Sequence, residues 1–117
     1  MIKLGKNISG FSTYSCQPKT KKELEKIIED RISKEGPNCD LNDIDTSLIT
    51  DMSFLFYKSK FSGDISKWDV SNVVTTMHAM FYESKFNQDI SSWKINKNCD
   101  VRHMFDDCSI KEEYKPK

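Results

Sequence analysis

Cys99, His103 and Cys108 fall within ten residues of one another. Thiolate sulfur with imidazole nitrogen is a donor set that zinc favours. Their spacings of four and five match no common ligand pairing, and no fourth ligand stands nearby. Packed thiols are therefore expected, with no metal and no other cofactor. A cysteine nucleophile would need a base within hydrogen-bond reach. His78 and His103 stand in different columns of a 25-residue repeat, so they form no repeated site and are expected to face solvent or be satisfied locally. Asp64 and Asp89 are equivalent positions, and two adjacent acids can share a proton. Each closes a Phe-x-x-Asp corner, however, where aspartate usually accepts backbone amides to hold a bend. Asp106–Asp107 and the trio Asp40, Asp43 and Asp45 lack the ligand pattern of an EF-hand loop. The expectation is a protein that is not an enzyme.

The totals narrow the class further. At 117 residues the chain fits one domain with a modest core. Charged residues are 31% of it, yet eighteen basic and eighteen acidic side chains cancel. Without a basic excess to neutralise phosphates, direct nucleic-acid binding is not expected, nor a charge-only membrane anchor. No run approaches the ~18 apolar residues that span a bilayer, and the N-terminus lacks a secretory leader's apolar stretch. As written the chain reads as cytoplasmic, with a surface location if a leader was removed. Cys16, Cys39, Cys99 and Cys108 contain no Cys-x-x-Cys pair and are too few for a disulfide scaffold.

The elements that position these residues are repeats. Phe61-Ser62-Gly63-Asp64-Ile65-Ser66-Lys67-Trp68-Asp69-Val70 returns 25 residues on as Phe86-Asn87-Gln88-Asp89-Ile90-Ser91-Ser92-Trp93-Lys94-Ile95. Met52-Ser53-Phe54-Leu55-Phe56-Tyr57 returns as Met77-His78-Ala79-Met80-Phe81-Tyr82, and once more, degraded, as Val101-Arg102-His103-Met104-Phe105. Ile44 to Phe56 and Trp93 to Phe105 both span 12, whereas Trp68 to Phe81 spans 13. The middle copy thus holds one extra residue, placed within Val73-Val74-Thr75-Thr76.

Within each copy, Met52, Leu55 and Phe56 (then Met77, Met80 and Phe81) follow the i, i+3, i+4 spacing of a short helix, which Thr50 or Asp51 and Thr75 or Thr76 would cap. Gly63 permits a tight bend. Ile65 to Val73, with Trp68 and Val70 two apart, reads as a short strand. A helix and a strand per 25 residues predict an α/β, leucine-rich-repeat-like solenoid of about three coils. An N-terminal helix should close one end: Thr20-Lys21-Lys22-Glu23 is a capping box, Leu24, Ile27, Ile28 and Ile32 form one stripe, and Gly36-Pro37 stops it. Ile2, Leu4, Ile8, Phe11 and Tyr14 suggest a strand or hairpin before it. The expected division is 1–40 as strand and helix cap, 41–110 as repeats packed on that cap in a single domain, and 111–117 as a charged tail.

The runs Asp64-Ile65-Ser66-Lys67-Trp68-Asp69-Val70-Ser71-Asn72-Val73 and Met77-His78-Ala79-Met80-Phe81 resemble the repeat of the BspA-like leucine-rich-repeat surface proteins, a repeat also known from Mycoplasma lipoproteins. Pro18 to Leu24, Asp43 to Ser47 and Ile49 to Met52 resemble the N-terminal portion of short members, so the likeness covers roughly residues 18–117. It implies a surface or adhesion role and carries no catalytic residue.

What remains for function is the surface between the apolar columns. Lys67, Asp69, Lys94 and Asn96 flank Trp68, Val70, Trp93 and Ile95, and Tyr57 and Tyr82 come directly after the core phenylalanines. Stacked repeats use such faces for protein recognition, and tyrosine is a frequent interface anchor. The expected function is a non-catalytic protein-binding repeat module with another protein as partner. The alternatives are a fragment of a surface adhesin or lipoprotein, and a small intracellular inhibitor from a mobile element that masks a host or defence enzyme. Short stacks can also oligomerise by pairing at their ends or sides.

Overall fold

The computed structural model describes residues 14–117. The expected pairing of Ile2, Leu4, Ile8 and Phe11 lies outside these residues. Helix α1 spans Lys21–Glu35, and its ends reflect local chemistry. Thr20 Oγ1 accepts the Glu23 amide at 3.1 Å, which pairs one of the first turn's free donors, and the Glu23 carboxylate reaches back past the cap to the Lys19 amide at 2.7 Å. Gly36, at φ 92°, ends α1 and donates its amide to Ile32. Leu24 and Ile28 are buried in the same cluster as Leu41, Ile44 and Met52. Two cations fasten the helix to the repeats. Arg31 grips both oxygens of Asp43 at 2.9 and 3.0 Å, and Lys21 reaches the Ser53 carbonyl at 3.1 Å.

Beyond α1, the expected α/β leucine-rich-repeat-like solenoid of about three coils is not what forms. Among the described residues α1 is the one α-helix, joined by a single 3-10 turn at Glu112–Tyr114. Parallel pairing is reduced to three isolated bridges, Cys16 to Ile44, Asp51 to Thr76 and Thr76 to Asp100. Turns and loops make up the rest of the described residues.

The reason lies in the backbone of each copy. Phe54, Ala79 and His103 adopt left-handed φ values of 58°, 54° and 59°, and Lys58, Glu83 and Asp107 adopt 55°, 53° and 55°. A left-handed residue reverses the local twist, so no helix can run through Met52 to Phe56. Alternate amides point sideways instead. Met52, Phe54, Phe56 and Lys58 donate to the carbonyls of Thr76, His78, Met80 and Tyr82 at 2.8–3.0 Å. Met77, Ala79, Phe81 and Glu83 donate onward to Asp100, Arg102, Met104 and Asp106 at 2.7–3.1 Å. The amides between them close short turns, as Leu55 does on Met52 and Tyr57 on Phe54. Each of these donors therefore has a partner without helix or sheet.

The predicted strand at Ile65 to Val73 is likewise two turns, with Trp68 donating to Ile65 and Val73 to Val70. Asp64, Asp69 and Asp89 each accept the amide two residues on, at 2.9–3.0 Å, and fix these bends. The proposed helix caps Asp51 and Thr76 do the same for Ser53 and His78, as caps of turns. Gly63 is not in the left-handed region. It is required because a Cβ there would sit 1.8 Å from the Cys39 carbonyl oxygen. The extra residue of the middle copy is taken up where Val74 turns out to solvent, 45% exposed, with its amide on Asn72.

The repeats nevertheless lie in register. Phe56, Phe81 and Phe105 stack with centroids 5.4 and 5.6 Å apart, Phe61 lies over Phe86 at 6.2 Å, and Trp68 over Trp93 at 6.4 Å. All these rings but Phe105 belong to the buried cluster, together with Met104 and Ile110, and Phe105 packs partly buried against it. The tail folds back on it. The Tyr114 carbonyl accepts the Ile90 amide at 3.0 Å, and Lys115 Nζ stands 5.4 Å from the Phe105 ring centroid.

Candidate protein-binding face

Register decides which surface residues meet, and the six expected binding residues fall on two separate parts of the repeat. Lys67, Asp69 and Lys94 are exposed and Asn96 is half-buried. Two of the four are committed to structure. Asp69 accepts both the amide and the hydroxyl of Ser71, at 3.0 and 2.6 Å, and Asn96 accepts the Asn98 amide at 2.9 Å. The Ser71 hydroxyl, then its amide, holds the Asp69 carboxyl below the usual range. Lys67 and Lys94 extend from this turn-holding surface.

The tyrosines lie on a different surface. The left-handed turn at Phe54 throws its ring outward, 47% exposed, beside Tyr57 at 42%. Their centroids are 5.4 Å apart, edge to face. Tyr57 stacks on Tyr82 at 5.4 Å with planes 18° apart, because the two stand one repeat apart in the same column. The sequence does not disclose the third wall. His78 is one position out of column from His103, but the diagonal brings their rings to 5.5 Å, and Phe54 packs on His78 at 5.4 Å. His103 Nδ1 pairs with Asp106 Oδ2 at 2.7 Å, the local satisfaction expected of it. His78 departs from that expectation: its Nδ1 is buried without a partner. Together these residues line an open groove of about 370 Å³. The spacing of 25 between His78 and His103, in repeats offset by 24 at that point, was the available signal.

The sulfur candidates each have a local partner, and Asp64 and Asp89 line one pocket with Ser66 and Ser91. Cys108 Sγ lies 3.4 Å from the Phe86 carbonyl, Cys99 Sγ 3.9 Å from that of Asp100, and His103 faces Asp106. Burial pushes the Cys39, Cys99 and Cys108 thiols up, towards the unreactive protonated form. Among the described residues no group of three or more histidines, cysteines or acids is placed to hold a metal ion, and no helix is long and apolar enough to cross a membrane. Asp64 and Asp89 are held below the usual carboxylate range, Asp64 first by the Asn42 side chain and Asp89 first by the Ser91 hydroxyl. Both are bend-holding acids.

No curated protein and no solved structure matches the chain. One family does, across residues 22–113, which takes in nearly all of α1 and all the stacked repeats. The chain thereby belongs to the family described as Mycoplasma protein of unknown function, DUF285.

Proposed function

We propose that this chain is a non-catalytic repeat module that binds another protein through the Phe54–Tyr57–Tyr82 face, in the manner expected of BspA-like surface proteins. The observation that carries this reading is the outward pair Phe54 and Tyr57, continued into the next repeat by the Tyr57–Tyr82 stack. Exposed aromatic rings fixed by backbone turns lose little side-chain freedom on binding, which suits them as interface anchors. Lys67 and Lys94, on the turn-holding surface, are the comparison face.

The test is capture on the immobilised chain, then titration of the purified partner. Tyr57→Ala with Tyr82→Ala should weaken binding about tenfold or more, whereas Lys67→Ala with Lys94→Ala should change it little. Equal affinity for wild type and the tyrosine variant would rule this face out.

A further inference from the structure

The groove beside Tyr57 has a definite chemistry, and this inference rests on the protein-binding reading of that face. Its walls are π surfaces from Phe54, Tyr57, Tyr82 and two imidazoles, and the exposed Asp106, paired with His103, lines it as well. Its rim is acidic. The negative charges of Glu83, then Asp107 and Asp106, raise the pKa of the Tyr82 hydroxyl. An exposed cation already uses one wall: Lys58 Nζ lies 5.4 Å from the Tyr57 centroid and 3.9 Å from Glu83. The unpartnered His78 Nδ1 is, in the Nε2-protonated tautomer, an acceptor lacking a donor.

From these features we infer that the groove receives an arginine side chain of the partner protein, its guanidinium against the Tyr57 and Tyr82 rings and its N–H groups on Asp106. A guanidinium is planar, weakly hydrated and rich in donors, so it stacks on rings and pairs with a carboxylate at once. An ammonium meets only the charge requirement. Phosphate-bearing ligands are opposed by the acidic rim.

The experiment titrates the whole chain with a short Gly-Arg repeat peptide, its Gly-Lys counterpart and its citrulline counterpart, which keeps the shape without the charge. Amide signals of Tyr57, Tyr82 and His103 should shift with the arginine peptide. Its affinity should exceed that of the citrulline peptide by about tenfold and that of the lysine peptide several-fold, and Tyr57→Ala with Tyr82→Ala should abolish these differences. Asp106→Asn, a surface change, supplies a second variant and should weaken arginine binding several-fold, with melting curves confirming that both variants fold. Equal binding of arginine and citrulline peptides, no binding, or shifts confined to other surfaces would each overturn the inference. If the arginine peptide fails while the captured partner still requires Tyr57 and Tyr82, the cation is wrong and the protein-binding face stands. If the partner ignores both tyrosines, the face itself is wrong.

Discussion

Trp68 and Trp93 lie parallel, 7° apart in plane and 6.4 Å apart in centroid, and each indole reaches back to a carbonyl nearer the N-terminus. Trp68 Nε1 donates to Leu41 at 2.9 Å and Trp93 Nε1 to Ile65 at 3.0 Å. One residue type thus fills a core column and ties successive copies together.

Trp93→Phe keeps a ring in the column but removes the indole N–H from the Ile65 carbonyl, which keeps the Trp68 amide, and leaves part of the indole's volume unfilled. It should lower unfolding free energy by about 1–3 kcal/mol, and Trp93→Ala by ~3–5 kcal/mol. Urea titration monitored by far-ultraviolet dichroism measures both. A Trp93→Phe variant as stable as wild type would show that the indole bond contributes nothing.

Gly63→Ala tests the close approach to Cys39. Because the obstructing atom is backbone, the chain must move, at a loss of about 1–3 kcal/mol. Gln88→Ala, at the equivalent position of the next copy, is exposed and should be within about 0.5 kcal/mol of wild type. Similar losses for the two would contradict the collision.

Lys58 tests the left-handed turns. Lys58→Gly removes a Cβ from a residue at φ 55°, and that relief offsets the added freedom of the unfolded chain. Its melting temperature should be equal to or above that of wild type. Lys58→Ile, β-branched, should destabilise by ~1–3 kcal/mol. The reverse order would mean that the turn is not left-handed in solution.

Acid should unfold the protein through its bend-holding aspartates and through Asp43, which accepts from Arg31 and Ser15. Asp43, Asp64, Asp69, Asp89 and Asp100 are all held below the ordinary carboxylate value. As pH falls, the unfolded chain takes up protons first, so their contribution is complete above about pH 5 and is lost as pH drops below ~4. Asparagine keeps the acceptor oxygen and does not titrate. Asp64→Asn with Asp69→Asn and Asp89→Asn should therefore lose less melting temperature than wild type between about pH 5 and 2.5. Parallel acid profiles would assign the loss to other groups.

What the sequence discloses here is the side-chain register, because identical apolar residues 24 or 25 apart must share a column to be buried. Phe56, Phe81 and Phe105 do so, and Thr20 and Gly36 bound α1 as their chemistry requires. The backbone was hidden. Two successive turns with left-handed Phe54 and Lys58 place Met52, Leu55 and Phe56 at the same spacing as a helix, and neither residue type advertises a positive φ. Repeated Asp-x-Ser runs at Asp45, Asp51, Asp64, Asp69 and Asp89 were the legible sign that turns would prevail. Of the candidate site, Tyr57 and Tyr82 could be read from their column. Phe54 could not, because its outward turn is a backbone consequence, and His78 was marked only by its spacing from His103.

The groove, the tyrosine stack and the aromatic columns all depend on alternate amides crossing from one copy to the next. Through-hydrogen-bond scalar couplings in the labelled protein detect this directly. Couplings are expected from the amide nitrogens of Phe54, Phe56 and Lys58 to the carbonyl carbons of His78, Met80 and Tyr82. Couplings from those amides to carbonyls four residues back in their own copy would contradict the crossing.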